Sequence, residues 1–301
     1  MDIADLRIFE TVARVATMNG AARELNTVQS NVTARIRLLE ESLGAPLFRR
    51  HSRGVALTAA GERLLPYAAR MMLLVDEARR AVIDDGTPQG RLRLGSLETT
   101  AMLRLPPVLA SFAAAYPAVD LALTTGTTAE LVDRVLERRI EGALVCGPAD
   151  HAELIQESVY EEELVLVTAP RFRHLRDVTA QREMKIVVLR LGCSYRQRLE
   201  AVLARRGIVR LRYLEFGTLD AIVGCVAAGI GITLLPRSVV GAPRREGRIA
   251  VHRLPVEEAQ VETIFVRRRD TPPSPALAAF LAAAKAARGK RKGPQRMLRP
   301  R

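Results

Sequence analysis

Between residues 24 and 44 the sequence reads ELNTVQSNVTARIRLLEESLG, which sets Gln29, Ser30, Asn31 and Thr33 almost side by side and follows them with arginines. Short amide and hydroxyl side chains donate to and accept from the edges of DNA bases, and nearby cations pair with phosphates. Advancing 100° per residue from Val32 brings Val28, Ile36, Leu39 and Leu43 within about 40° of it, one apolar stripe. Ser30, Ala34 and Arg37 fall on the opposite face, with Thr33 beside them. A helix of this kind buries one side and lets its backbone approach a major groove with the other; at Ala34 a methyl could meet a thymine methyl.

Such a helix needs a scaffold. Upstream, NGAARELN (residues 19–26) predicts a short helix, and the pair is either a helix-turn-helix or an ordinary helical hairpin; periodicity alone favours the hairpin. Downstream, PLFRRHSRGVALT holds two short strand-like pieces around a Ser-Arg-Gly turn, crowded by Arg49, Arg50, His51 and Arg53. A basic β-hairpin wing can lie along phosphates or reach into a minor groove, although a solvated charged loop has the same composition. A helix-turn-helix followed at once by a basic wing is more specific than either part. Residues 58–86 then predict one long helix. Leu64, Ala68, Met71, Val75, Ala78 and Val82 step by four and three, the seam of two helices packed along their length or of one helix packed on its own domain. Thr58 is a plausible N-cap, and Pro66 predicts a kink.

After the turn-rich DDGTPQG, strand-like runs (RLRLGSL, VDLALTT, EGALVCG, ELVLVTA, KIVVLR, LRYLEF, GITLLP, VETIFV) alternate with amphipathic ones. That order predicts α/β layers with largely parallel sheets. Four of the predicted strand–helix junctions carry small hydroxyls: Ser96, Thr99 and Thr100 with Glu98; Thr125, Thr127 and Thr128; Ser194 after Cys193; and Thr218. Each hydroxyl can simply cap its helix. Four together at strand C-terminal edges also suit a shared ligand crevice. Glu98 disfavours a strongly anionic ligand there, which Arg196 would offset. Cys193, just before a helix start, would have its thiolate stabilised, so a redox role stands beside that of a small buried thiol.

Other classes find little support. No H-E-x-x-H, G-x-S-x-G, Walker loop or G-x-G-x-x-G occurs, so no enzyme activity, catalytic residue, metal or cofactor is expected. Cys146, Cys193 and Cys225 are distant and odd in number, against a disulfide framework or zinc site. No apolar run approaches a bilayer span and no signal peptide is read, so a cytoplasmic protein is expected. A transport receptor would explain residues 91–285 but not what precedes them. The formal charge is +13 over 301 residues, and seven of the basic residues lie after position 287 in RGKRKGPQRMLRPR. Such a tail reads as disordered and solvated, with some non-specific attraction to DNA.

The stretch DLRIFETVARVATMNGAARELNTVQSNVTARIRLLEESLGAPLFRRHSRGVALTAAGERLL resembles the N-terminal domain of the LysR-type transcriptional regulators. It shares the AA-x-x-L, the Gln-Ser pair, the LE-x-x-LG-x-PLF-x-R core and the LT-x-AG end. Further on, SLETT…GTT…CGP and GCSYRQRLE…EFGTLDAI…CVAAGIGITLLP look like the subgroup that includes regulators of glutamate synthesis. The resemblance implies an α+β multidomain chain: a winged helix-turn-helix (1–57), a linker and dimerisation helix (58–86), and a periplasmic-binding-protein-like α/β effector domain (91–285). The last has subdomains I (91–162 and 261–285) and II (163–260), and a basic disordered tail (286–301) follows. It implies that Gln29, Ser30, Thr33 and Arg37 lie at or near double-stranded DNA and that Arg50 and Arg53 are wing contacts. The family usually has Ser at the position of Val28, so capping is expected to pass to Thr27. It often has a basic residue where this chain has Ala34. It further implies a homodimer or homotetramer, contact with RNA polymerase, and a small organic or amino acid effector in the cleft. Thr99, Thr100, Thr127, Ser194 and Thr218 are the effector-binding candidates.

Overall fold

The computed structural model describes residues 1–51, 54–83, 86–179 and 183–289. The chain forms two compact units, one built on residues 1–86 and the other on residues from 87 onward.

The first unit contains α1 (Ile3–Val15), α2 (Met18–Glu24), α3 (Gln29–Leu43), the strands β1 (Phe48–His51) and β2 (Gly54–Leu57), and α4 (Ala59–Ile83). Asp2 and Asp5 close a capping box on α1, and the Thr17 hydroxyl caps α2. Asn26 takes a left-handed conformation in the tight α2–α3 turn, and Gly44 does the same at the end of α3. Leu6, Phe9 and Val12 of α1 pack with Val32, Ile36 and Leu39 of α3, Leu47, Val55, and Ala68 and Met72 of α4. The apolar stripe of α3 is shorter than its periodicity predicts: Val28 is 64% exposed and Leu43 40%. Among the described residues, the two ends of α3 are covered only in part.

Two details explain the motif that follows. The Glu40 carboxylate accepts from the backbone N–H groups of Leu47 (2.7 Å) and Phe48 (3.1 Å), fixing the chain's departure into β1. Thr58 caps α4 by accepting from the Gly61 N–H at 3.1 Å, while its hydroxyl donates to the Pro46 carbonyl at 2.6 Å. Gly61 thereby lies against the Leu47 carbonyl, and a Cβ there would collide with that oxygen and with Leu57. Gly61→Ala should therefore destabilise this unit by about 1–3 kcal/mol, because backbone must move. A lowered thermal transition measured on the full chain checks it; an unchanged one would mean the loop yields freely.

The helix α4 runs on through Pro66. Its outward apolar face keeps Met71, Ala78 and Val82 of the expected seam but not Ala68. Ala68 is fully buried in the unit's own core, whereas Tyr67 (59% exposed), Met71 (41%), Leu74 (53%) and Val82 (87%) face outward together with Ala78. The first turns of α4 serve the winged domain, so Tyr67 rather than Ala68 faces outward there, and the expected stripe returns at Met71, Ala78 and Val82.

The second unit runs β3 (Gly90–Ser96), α5 (Glu98–Leu103), α6 (Leu105–Ala115), β4 (Val119–Thr125), α7 (Thr128–Leu136), β5 (Gly142–Cys146), β6 (Leu154–Thr168), α8 (Leu175–Thr179) and β7 (Glu183–Leu189). It continues with α9 (Ser194–Ala204), β8 (Arg210–Phe216), α10 (Leu219–Ala227), β9 (Thr233–Pro236), α11 (Gly241–Arg245), β10 (Ala250–Arg253), α12 (Val256–Ala259), β11 (Gln260–Arg268) and α13 (Pro275–Gly289). The last helix includes residues 286–289, which the sequence assigns to a disordered tail; Ala284 is buried in the core and Ala287 packs against it. The remainder of the predicted tail lies outside the described residues.

The strands make two lobes. One sheet has the order β4-β3-β5-β11-β6; in the other, β6 pairs with β9 and β10, β7 with β8, and a bridge from Ile186 to Ile232 joins β7 to β9. The strand β6 belongs to both. Glu163 is the last β6 residue paired with β11, opposite Gln260, and Leu164 is the first paired with β9, opposite Pro236. Pairing is parallel for β3 with β4 and β5 and for β7 with β8, but antiparallel wherever β6 or β11 takes part in a ladder. The sheets are thus mixed rather than largely parallel, because β6 and β11 carry the chain between lobes in opposite directions. Helices cover both faces of each sheet. In β6, Leu164 and Leu166 pack toward α9 while Val165 and Val167 pack toward α10, so this segment reads as an unbroken apolar run.

Glu162 anchors the switch point. Its Oε1 accepts from Arg104 Nε at 2.8 Å and its Oε2 from the Ser238 hydroxyl at 3.2 Å, and the Arg104 guanidinium lies over the Tyr160 ring, 5.5 Å from its centroid. Arg104 enters from the α5–α6 junction of one lobe and Ser238 from beyond β9 in the other.

Candidate functional site

The small polar start of α3 is uncovered. Gln29, Ser30, Asn31 and Ala34 are exposed and Thr33 is half-buried. The Arg37 side chain is 80% exposed and pairs with Glu41 at 2.9 Å, a solvated i, i+4 contact that competes weakly with a phosphate. Arg35 has another job. Its guanidinium reaches Asp5 at 2.9 Å and Asp2 at 3.0 Å, stapling α3 to the start of α1. The chain therefore presents a methyl at Ala34 and a committed cation beside it. Thr27 does not cap α3: the N-cap is Val28, which supplies no side-chain bond, and the Thr27 hydroxyl accepts from the Asn31 side-chain amide at 3.0 Å. An uncapped helix start leaves backbone N–H groups open to an anion.

The wing forms by antiparallel pairing of β1 and β2, Phe48 with Leu57 through His51 with Gly54. Arg50 stands opposite Val55 in this ladder. Arg53 lies outside the described residues.

In the second unit a cleft opens between the lobes, about 630 Å3 when the space open to solvent is included. One lobe lines it with Leu97, Glu98 and Thr99 after β3, Thr125 to Thr128 after β4, and Cys146 at the end of β5. The other contributes Leu189 and Arg190 at the end of β7, Cys193, Ser194 and Tyr195 at the start of α9, and Gly217 after β8. Of the sequence-predicted residues, Thr99, Thr127 and Ser194 come together here. Thr100, one helical position beyond Thr99, is buried away from the lining, and the exposed Thr218 caps α10 by accepting from the Ala221 N–H at 3.4 Å.

The hydroxyls form a network. Thr127 and Glu130 close a capping box on α7, with the Thr127 N–H donating to Glu130 at 3.0 Å and the Glu130 N–H to the Thr127 hydroxyl at 3.3 Å. Ser194 donates to the Thr128 hydroxyl at 3.0 Å across the cleft, and Thr99 and Tyr195 meet at 3.5 Å. Burial pushes the Tyr195 phenol well above its usual range, so it stays a neutral donor. Burial likewise raises the Cys193 and Cys146 thiols, outweighing the backbone N–H groups near Cys193 and Arg198 near Cys146. Cys193 is thus held as a thiol, against the expectation of a stabilised thiolate.

The expected counter-charge also moves. Arg196 does not line the cleft: it pairs with Glu215 at 2.6 Å and Glu200 at 3.2 Å and lies over Tyr213. The cleft's cation is Arg190, which ends the run KIVVLR and reads from sequence as the close of a strand rather than as a junction. Among the described residues, no group of His, Cys, Asp and Glu could hold a metal ion, and no helix is long and apolar enough to cross a membrane.

A winged helix-turn-helix in one unit and a cleft between two α/β lobes in the other define a DNA-binding regulator with an effector-binding domain. The profile "Bacterial regulatory helix-turn-helix protein, lysR family" matches residues 3–62, and "LysR substrate binding domain" matches residues 85–289. The chain belongs to the LysR family of transcriptional regulators, which are not enzymes. It is similar to the HTH-type transcriptional regulator GltR of Bacillus subtilis (strain 168), with 44% identity over 284 residues, 93% of this chain and 95% of the relative. The HTH-type transcriptional regulator CzcR of Bacillus anthracis is 40% identical over 281 residues, covering 93% of this chain and 96% of its own. Among solved structures, full-length CbnR complexed with its target DNA matches with a TM-score of 0.65 and 25% identity, covering 95% of this chain and 100% of that one. The probable transcriptional regulator PA0477 from Pseudomonas aeruginosa shares the fold, with a TM-score of 0.70, 18% identity, and coverage of 95% and 97%.

Proposed function

We propose that this regulator binds a two-fold operator as a dimer or tetramer, reading bases with the start of α3, and that a small organic or amino acid in the cleft of its second unit sets the response. The observation that carries the DNA reading is the uncovered face of α3, where Gln29, Ser30 and Ala34 are all exposed beside Thr33. Gln29, Ser30 and Thr33 meet base edges, Thr27 and Arg37 flank them, and Arg50 and Arg53 of the wing meet phosphates. The outward stripe Tyr67, Met71, Leu74, Ala78 and Val82 supports pairing of two copies along α4, and a two-fold pair presents two α3 helices to two half-sites. On this reading residues 1–57 bind DNA and 58–86 link and pair subunits. Residues 91–285 bind the effector, with subdomain II (163–260) inserted into subdomain I. DNA-bound subunits then present a surface to RNA polymerase. The effector acts by favouring one arrangement of the domains over another.

The test compares operator with random DNA. Gln29→Ala should lose about 1–3 kcal/mol of discrimination while non-specific affinity holds. Arg53→Ala should weaken binding to every sequence and reduce the salt slope by about 1. Fluorescence anisotropy against the DNA upstream of the chain's own gene measures both; if neither substitution changes affinity, the DNA assignment fails.

A further inference from the structure

We propose that the cleft takes a zwitterion, an α-amino acid whose ammonium group is held by Glu98 and whose carboxylate is held by Arg190. This deepens the effector reading above and rests on it. Glu98 begins α5 and is half-buried in the lining; Arg190 directly follows β7 on the opposite lobe, its guanidinium close over Gly217. Among the described residues, neither side chain has an ion-pair or hydrogen-bond partner, although the charges around them are all engaged. Glu130 accepts from the Thr127 N–H, Arg196 is held by Glu200 and Glu215, and Arg198 donates to the Gly147 carbonyl at 3.2 Å. The cleft thus keeps two uncommitted charges, of opposite sign and on opposite lobes.

A ligand that closes the lobes takes both charges out of water. A simple carboxylate would satisfy Arg190 and leave Glu98 facing an anion. An amine would do the reverse, and a neutral molecule would leave both unpaired, each at a cost. A zwitterion satisfies both and adds no net charge. The start of α9, where Cys193 gives no side-chain cap, adds backbone donors beside Arg190 for the carboxylate. Thr99, Thr127 and Ser194 remain for the polar atoms of a small side chain.

The experiment is calorimetric titration of the full-length protein with the common L-amino acids, their 2-oxo acid counterparts, and the matching alkylamines. At least one amino acid should bind, with its 2-oxo acid and its amine each about tenfold weaker or worse. Glu98→Gln should erase the preference over the 2-oxo acid, and Arg190→Gln the preference over the amine. A 2-oxo acid or amine that binds as tightly as the amino acid overturns the proposal, as does an amino acid whose affinity neither substitution alters. Thr125→Trp separates this failure from failure of the cleft itself, because Thr125 is exposed at the lining and a large ring there blocks entry. If an acid or amine binds and Thr125→Trp abolishes it, the cleft stands and only the zwitterion falls. If nothing in the three sets binds, or binding survives Thr125→Trp, both readings fall.

Discussion

An Ala34→Glu chain is expected to lose operator affinity by about 100-fold, since on the proposed docking of α3 the new carboxylate would stand among phosphates and meet like charge at a cost of several kcal/mol. The substitution isolates the role of α3 because Ala34 is exposed and touches none of the core that holds the helix. Glutamate is a good helix former, so the change costs only a few tenths of a kcal/mol in propensity, and the new side chain has Arg37 one turn away. Melting temperature should therefore stay within about a degree while DNA binding collapses for every sequence, most steeply at low salt. The control is Gln197→Glu, the same change of charge at an exposed site in the other unit, which should leave DNA affinity unaltered. Anisotropy titrations and thermal melts on the three chains decide the matter. Wild-type affinity in Ala34→Glu would mean that this face of α3 never enters the groove.

Glu162→Ala carries the largest expected stability loss. The Glu162 side chain is 8% exposed and its partner Arg104 is 20% exposed, so removing the carboxylate strands a guanidinium that water reaches only in part. Loss of one partner from a buried pair costs about 3–5 kcal/mol; with Arg104 partly solvated, about 2–3 kcal/mol is expected here. In a unit of this size that lowers the melting temperature by roughly 5–10 °C. The Ser238 hydroxyl loses its acceptor too, so the two lobes lose a shared anchor as well as an ion pair. Glu162→Gln keeps an acceptor for Ser238 and should recover part of the loss. If Glu162→Ala melts with the wild type, the pair is strained or already solvated in solution.

Much of the DNA-binding unit is legible because its interactions are local. Periodicity finds α3, and the apolar centre Val32, Ile36 and Leu39 is buried as expected. The stripe's ends miss because a helical projection does not know where the neighbouring helices stop. The α4 seam misses at Ala68 for a related reason: Ala68 and Met72 are claimed by the winged core, a demand set by residues far away in sequence. The role of Glu40 could have been inferred from the Gly-x-Pro loop just beyond it, whose amides need an acceptor.

In the cleft, hydroxyls at strand ends point to the right junctions, but spacing does not say which hydroxyl faces inward. Thr99 and Thr100 differ by one helical step and end in different surroundings. Arg196 is diverted by Glu215, which lies on the neighbouring strand β8 and is invisible to local reading. The long first half of β6 escapes notice because its alternation is interrupted by acids, Glu157 and Glu161 to Glu163.

The handover within β6 also has a consequence for the order in which the chain can be completed on the ribosome. The lobe that begins at β3 closes only when β11 and α13 arrive, since Phe112 of α6 packs edge-on against Phe280 at 5.5 Å. The lobe between Leu164 and Gln260 is continuous and has all of its strands once β10 has emerged. The lobe started second can therefore finish first, while the half-built first lobe waits with Leu105, Val108 and Phe112 uncovered. During translation that waiting surface, rather than any site of the finished protein, is where a chaperone would have reason to bind.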